Sequence, residues 1–226
     1  MKKYTMIILA LTASSCSELV HTQSKPPQLT VDKTEVAAND SDQIMLTATV
    51  HNQLSTQQTL RFFTTNGKLL KLPLSTSSEG NLNSVEVNPG VKEIKAVLRA
   101  SLSPDENVIV SSSVGALVSS ITVKFNRLCP DEVKVELNKT EINVNETIDF
   151  ELLFLRADAK KVSQNTRVDI VANPVNTVEI NSIVYSDSSG KATVKLKAIK
   201  QGSVTINFTA LSGCGVPISP KSITIN

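Results

Sequence analysis

Residues 43–50 read QIMLTATV, and this stretch decides the fold class. Its side chains at Ile44, Leu46, Ala48 and Val50 recur at every second position. That spacing places them on one face of an extended chain, whereas a helix would need a spacing of three or four residues. The segment therefore predicts a half-buried β-strand.

Similar short runs follow through the first half of the chain, and turn signals such as Asn66-Gly67 separate them. The runs are 29–31, 60–64, 84–87, 91–100, 107–111 and 119–125. Many short strands at spacings of about ten residues, without a long helical period, predict an antiparallel sandwich.

The second half follows the same plan. Its runs are 133–137, 147–155, 167–171, 177–185, 191–199, 203–210 and 222–225. Residues 29–36 (LTVDKTEV) match 135–142 (VELNKTEI), and Lys-Thr-Glu is identical in both. The alternative is that β-rich sequences share short words by chance. Several landmarks in one order favour a duplication, which predicts an all-β chain of two tandem sandwiches.

Two further landmarks support the duplication. Gly80 and Gly90 of the first half are taken to correspond to Gly190 and Gly202 of the second half. Each half also closes on a similar strand, which reads ITV at 121–123 and ITI at 223–225.

The opening stretch 29–50 (LTVDKTEVAANDSDQIMLTATV) resembles the start of bacterial Ig-like domains of the invasin and intimin type. Residues 186–198 (SDSSGKATVKLKA) are similar to the T-D-x-x-G-x-A-x-V-x-L element of that family, and 201–206 (QGSVTI) to its next strand. The first half keeps Gly80 but not the Ala-x-Val continuation. The resemblance implies seven-stranded Ig-like sandwiches at the cell envelope, which commonly serve as rigid spacers.

The amino terminus has the layout of an export signal. Lys2 and Lys3 precede an apolar run of about ten residues at 4–13, too short for a membrane span of roughly twenty. Small residues then lead to Cys16, an arrangement that resembles the lipobox of bacterial lipoproteins, although Ala13 stands where that motif prefers Leu. A plain secretory peptide with an accidental cysteine is the alternative. We expect lipidation at Cys16 and attachment to the outer membrane, on its periplasmic or cell-surface side.

These features divide the chain into four parts. We expect a signal peptide at 1–15, lipidated Cys16 with a polar tether to residue 28, and Ig-like domains at 29–126 and 127–226. Loss of the two signal lysines leaves 21 basic and 21 acidic side chains. A neutral chain without Lys/Arg clusters gives no electrostatic footprint for nucleic acid.

Two cysteines, Cys129 and Cys214, remain after Cys16 is assigned to the lipid. An oxidising envelope permits them to bond, and they precede the first and last strands of domain 2. We expect a disulfide between them; two free thiols, or a bond to another chain, are the alternatives. Two cysteines without histidine or acidic neighbours fall short of a zinc site.

Catalytic signals are nearly absent, so we expect no enzyme activity and no cofactor. The two histidines are His21 in the tether and His51 at a strand end, and no P-loop, G-x-S-x-G or H-E-x-x-H word occurs. Residues 39–43 (NDSDQ) offer carboxylates to calcium, but an Asx-rich turn is the simpler interpretation. Tyr185 is expected to be half-buried in a sheet, and no small-molecule ligand is expected.

Three functions are consistent with this sequence. The first is an envelope lipoprotein whose Ig-like pair binds or spaces another protein through sheet edges or loops. The second is a surface adhesin or glycan-binding lipoprotein. The third is an accessory subunit or a weak enzyme whose site the sequence does not reveal.

Overall fold

The computed structural model describes residues 23–54, 58–72, 84–87, 92–210 and 213–226. All the regular secondary structure assigned in these ranges is β-strand, which confirms the all-β fold. Within the same ranges no helix is long and apolar enough to cross a membrane. The expected signal peptide and Cys16 lie outside the described residues.

The described part of the first half forms nine strands. They are β1 (Gln28–Val31), β2 (Glu35–Ala37), β3 (Gln43–Thr49), β4 (Leu60–Thr64), β5 (Lys68–Lys71), β6 (Ser84–Val87), β7 (Glu93–Arg99), β8 (Asp105–Val114) and β9 (Leu117–Asn126). One sheet has the order β1-β3-β7-β5, and the other has the order β2-β9-β8-β4-β6. The pairing of β2 with β9 is parallel.

Nine more strands lie in the described part of the second half. They are β10 (Glu132–Glu136), β11 (Glu141–Ile142), β12 (Thr147–Leu155), β13 (Arg167–Asn173), β14 (Val178–Ile180), β15 (Ile183–Tyr185), β16 (Lys191–Ala198), β17 (Gly202–Ala210) and β18 (Lys221–Ile225). Their sheets have the orders β10-β12-β16-β14 and β11-β18-β17-β13-β15. The second half therefore repeats both sheet orders of the first strand by strand, as a duplication predicts.

Alternation along the strands builds one apolar core in each half. In β16 the side chains of Ala192, Val194, Leu196 and Ala198 are buried, while those between them point to solvent. The same alternation buries Ile44, Leu46 and Ala48 in β3, as the opening stretch of sequence predicts. Burial of such faces, at about 25 cal/mol per Å² of apolar surface, is the main force that holds each sandwich together.

The strand register tests the repeat alignment. Val36 lies beside Phe125 in the first half, and Ile142 lies beside Ile225 in the second. Val36 therefore corresponds to Ile142, which agrees with the matched words at 29–36 and 135–142. The prediction that 121–123 corresponds to 223–225 is wrong by two residues, because Phe125, and not Val123, is the counterpart of Ile225.

The glycine landmarks also need correction. Gly190 lies between β15 and β16, and the matching connection of the first half joins β6 to β7. By chain position Gly90, and not Gly80, occupies that connection, although both glycines lie outside the described residues. Gly202 begins β17, and no glycine stands in the matching connection between β7 and β8.

The strand count also differs from the expected seven in each half. The short strands β2 and β11 are extra, because the chain leaves the first sheet after β1 or β10 and joins the edge of the other sheet. Residues 177–185, predicted as one strand, form β14 and β15 in different sheets. Asn181 and Ser182 separate them, and the Ser182 carbonyl accepts a hydrogen bond from the Ile170 amide on β13.

Candidate functional site

The connection between β12 and β13 brings the two halves into contact. Its residues 160–164 lie against residues 38–42 of the first half, which connect β2 to β3. The Gln164 amide also donates a 3.0 Å hydrogen bond to the Leu102 carbonyl, in the connection between β7 and β8. We call this contact region the joint.

Ser163 is the central residue of the joint and is fully buried. Its hydroxyl donates a 2.7 Å hydrogen bond to the Ala38 carbonyl and accepts a 2.8 Å bond from the Leu128 amide. Its own amide donates to the Leu128 carbonyl at 3.1 Å. Ser163 therefore ties together the first half, the connecting segment and the second half.

Buried hydroxyls hold Ser163 in place. The Thr166 hydroxyl donates to the Ser163 carbonyl at 3.0 Å, and the Ser186 hydroxyl donates to the same carbonyl at 3.2 Å. Arg127, in the connecting segment, donates from one guanidinium nitrogen to the Asn165 carbonyl at 3.2 Å. Burial lowers the pKa of Arg127. Because a buried hydrogen-bonded network is costly to rearrange, this one favours a single angle between the halves.

Two ion pairs flank Ser163 at the surface. Lys160 lies 3.0 Å from a carboxylate oxygen of Asp42, and Lys161 lies 3.2 Å from one of Asp40. Burial raises the pKa of Asp42, but hydrogen bonds with Asn39 and Lys160 and the lysine charge outweigh it, so that the net pKa lies below the ordinary value. Half-exposed pairs of this kind contribute up to about 1 kcal/mol each.

Residues 39–43, which the sequence analysis interprets as an Asx-rich turn, form that turn. The Asn39 side-chain oxygen accepts hydrogen bonds from the Ser41 and Asp42 amides at 2.9 and 2.7 Å, which is an Asx turn. Across the described residues there is no group of three or more His, Cys, Asp or Glu side chains suited to a metal. The two carboxylates face the lysines of the other half.

The sequence did not predict the contacts that Ser163, Lys160 and Lys161 make at the joint. Lys160 and Asp42 are 118 positions apart, and nothing local in either segment links them. The only available signal is their opposite charge, in a Lys-Lys pair of one half and an Asp-Ser-Asp segment of the other.

Cys129 and Cys214 are joined by a disulfide, as the cysteine count predicts. The bond connects the segment before β10 to the segment before β18, and these two strands belong to different sheets of the second sandwich. Arg156 donates to the Cys129 carbonyl at 2.7 Å and to both carboxylate oxygens of Asp158 at 2.9 Å. The Arg156 hydrogen bonds lower the pKa of Asp158 to about 2.

The remaining predicted residues do not gather at one place. Cys16 and His21 lie outside the described residues, and His51 is exposed in the connection after β3. Tyr185 lies on β15 and is 54% exposed, which agrees with the expectation of a half-buried tyrosine in a sheet. It is exposed because β15 lies at the edge of its sheet and Tyr185 points away from the core.

Different segments lie at the two ends of the described structure that are remote from the joint. Gln23 lies at the end of the first half opposite the joint. Its side-chain amide donates a hydrogen bond to the Asn52 carbonyl, and its side-chain oxygen accepts one from the Asn52 backbone amide. Pro27, in the same segment, is buried. The opposite end of the second half carries the connections 143–146, 174–177 and 199–201, which we call the distal tip.

Two solved structures are similar to this chain. The adhesin InvE of Yersinia pseudotuberculosis matches with a TM-score of 0.60 and 18% identity over 88% of this chain. Invasin, described as a bacterial integrin-binding protein, matches with a TM-score of 0.54 and 16% identity over 88% of this chain. The chain spans 58% of the InvE chain and 39% of the invasin chain.

No protein-family model matches the sequence, and no curated protein sequence matches it. The structural likeness therefore rests on fold, and it agrees with the resemblance of residues 29–50 and 186–198 to the same domains. The chain consists of two tandem β-sandwiches with the fold of invasin- and intimin-type bacterial Ig-like domains.

Proposed function

We propose that this protein is an exported lipoprotein, anchored to the outer membrane through Cys16, whose two Ig-like domains form a stiff module that binds or spaces another protein. The domains correspond to residues 29–126 and 127–226. The role is non-enzymatic. The observation that carries the proposal is the joint, in which buried Ser163 bonds directly to the Ala38 carbonyl of the other half.

A spacer must hold its ends apart at a fixed geometry. The buried network around Ser163 restrains rotation at the joint, and the ion pairs of Lys160 and Lys161 add a second restraint at its rim. The chain enters the first half at the end where Gln23 packs, opposite the joint. An anchor on this side would therefore leave the distal tip pointing away from the membrane.

The structural neighbours support a protein-binding role. InvE is an adhesin, and invasin is described as integrin-binding. This chain covers only part of each of them. Short edge strands such as β15 and exposed connections at the distal tip provide the kind of surface through which Ig-like domains bind proteins.

Glycan binding is the second candidate, and Tyr185 favours it. This exposed tyrosine pairs across the strands with Arg167, which holds Asp169 in an ion pair of 2.7 Å. An aromatic face beside an Arg/Asp pair combines apolar contact with hydrogen-bonding groups, as sugar sites do. On a glycan array, loss of a specific signal in Tyr185→Ala would support this function, and an array without hits would discard it.

The experiment that tests the main proposal follows the lipid and the partner separately. Cells grown with an alkyne fatty acid should label the wild-type chain and not Cys16→Ser, and the wild-type chain should sediment with outer membranes. Equal labelling of both chains would contradict anchoring at Cys16. Crosslinking in envelope fractions should then give a discrete adduct with another envelope protein, and its absence from the wild-type chain would contradict the binding role.

A further inference from the structure

Strand β15 has an open backbone edge. It is the last strand in the order β11-β18-β17-β13-β15, and among the described strands it pairs with β13 alone. The Ser182 carbonyl accepts a hydrogen bond from the Ile170 amide, and the Ser186 amide donates one to the Thr166 carbonyl. Because backbone groups alternate in direction along a strand, the first and last residues of β15 direct theirs away from β13.

Two apolar side chains lie on the same edge. Ile183 and Tyr185 are 40% and 54% exposed on the outer face of the sheet, while Val184 between them is 8% exposed and reaches the core. Across the strand pair they face Asp169 and Arg167, which form their own ion pair at 2.7 Å. The edge therefore combines hydrogen-bonding backbone groups with apolar side chains, and the charges beside it are already paired.

The other edge strands of the described sheets carry a protection that β15 lacks. Charged side chains and proline on an edge strand oppose pairing with another chain. Strands β2, β5, β6, β10, β11 and β14 each contain a lysine or a glutamate, and β1 follows Pro26-Pro27. The counterpart of β15 in the first half is β6, which contains Glu86. Residues 181–186 (NSIVYS) contain neither a charged residue nor a proline.

We propose that β15 pairs with β15 of a second copy of this chain, antiparallel and about a two-fold axis at Val184. The two sheets would then form one continuous sheet. Ile183 of each copy would lie opposite Tyr185 of the other, and each opposed pair would exchange two backbone hydrogen bonds. This inference goes beyond the proposed function, because it requires neither the anchor nor another protein.

The edge is complementary to itself, which favours a second copy as the occupant. A two-fold axis brings the same surface of both copies together, so each residue must fit its opposite. On the outer face each isoleucine side chain would cover a tyrosine ring, a favourable cross-strand pair. The same register places Ser182 opposite Ser186 and Asn181 opposite Asp187, so that no like charges meet.

Disulfide trapping tests the pairing and its register. The full chain with Cys16→Ser, which removes a free thiol, carries either Ile183→Cys or Tyr185→Cys. In the proposed register these two positions lie opposite each other, about 5.5 Å apart at Cα and within reach of a disulfide. Identical positions of the two copies lie on the diagonal, about 7–8 Å apart and beyond that reach.

Under mild oxidation, an equimolar mixture of the two chains should give at least about fivefold more crosslinked dimer than either chain alone. Both substituted side chains are on the outer face, so the core of the sandwich is unchanged. Equal crosslinking in the mixture and in the single chains would overturn the proposal, because random collision would explain it.

Sedimentation of the Cys16→Ser chain gives a second measurement. Its sedimentation coefficient should rise with protein concentration, and Ile183→Glu, which adds an edge charge of the kind that β6 carries, should abolish the rise. The matched control is Val118→Glu, because Val118 is 55% exposed on β9 of the first half. This variant should sediment as the Cys16→Ser chain does.

A sedimentation coefficient that does not change with concentration, or a rise that Ile183→Glu leaves intact, would contradict the proposal. Crosslinking of Tyr185→Cys to another envelope protein, without the dimer, would assign this edge to a different partner and would also overturn it.

Discussion

The Ser163 hydroxyl of the second half donates a 2.7 Å hydrogen bond to the Ala38 carbonyl of the first half, across 125 positions of sequence. The same oxygen accepts the Leu128 amide of the connecting segment. One buried hydroxyl thus bonds to an acceptor of the first half and to a donor of the connecting segment.

Ser163→Ala should therefore loosen the joint. The Ala38 carbonyl and the Leu128 amide would stay buried without this partner, at a loss of about 1–3 kcal/mol in the free energy of unfolding. Small-angle scattering should show a broader range of angles between the halves. Ser189→Ala, which removes an exposed hydroxyl bonded to Asp187, is the matched control and should change stability by less than about 0.5 kcal/mol. Unchanged scattering in Ser163→Ala would contradict the role of the joint.

The disulfide should stabilise the second half alone. Its cysteines are 85 positions apart, and closing a loop of that length contributes about 4 kcal/mol in the chain-entropy model. In calorimetry, replacing both Cys129 and Cys214 by alanine should lower the transition of the second half and leave that of the first in place. A chain whose reduced and unreduced forms migrate equally after alkylation would show that the bond does not form in solution.

Gly67 should tolerate alanine far less well than Gly115. Both have positive φ, +84° and +57°, which disfavours a side chain by about 1 kcal/mol. A Cβ at Gly67 would also stand 2.6 Å from the Arg99 carbonyl oxygen, whereas one at Gly115 would meet nothing within 4 Å. Gly67→Ala should lower the free energy of unfolding by at least about 2 kcal/mol, and Gly115→Ala by about half as much or less. Equal denaturant midpoints would refute this.

Acid should weaken the joint through Asp42. Its pKa in the folded chain lies below the ordinary value of 3.8, so its carboxylate stabilises the fold above that pH. The contribution is lost as the pH falls from about 4 through the lowered pKa, because the neutral acid no longer attracts Lys160. Asp42→Asn should flatten the stability curve in that window. If Asp42→Asn and the wild-type chain lose stability in parallel there, Asp42 is not the responsible group.

Local pattern predicted a large part of this fold. Residues 43–50 and 191–199 alternate strictly, and β3 and β16 form there because every second side chain must reach the core. The words at 29–36 and 135–142 predicted the register of the repeat correctly. Strands β2 and β11 were not predicted, because two or three residues are too few to show the alternation of buried and exposed side chains.

Sequence alone predicted the all-β class and the faces that enter the two cores, and it favoured the duplication and the pairing of Cys129 with Cys214. All of these depend on residue type and spacing along the chain. Tertiary structure alone decided that β14 and β15 belong to different sheets and that Ser163 closes on Ala38. The reason is that a hydroxyl forms a hydrogen bond with a group that lies near it in space, and residues 125 positions apart come together only after both sandwiches have formed.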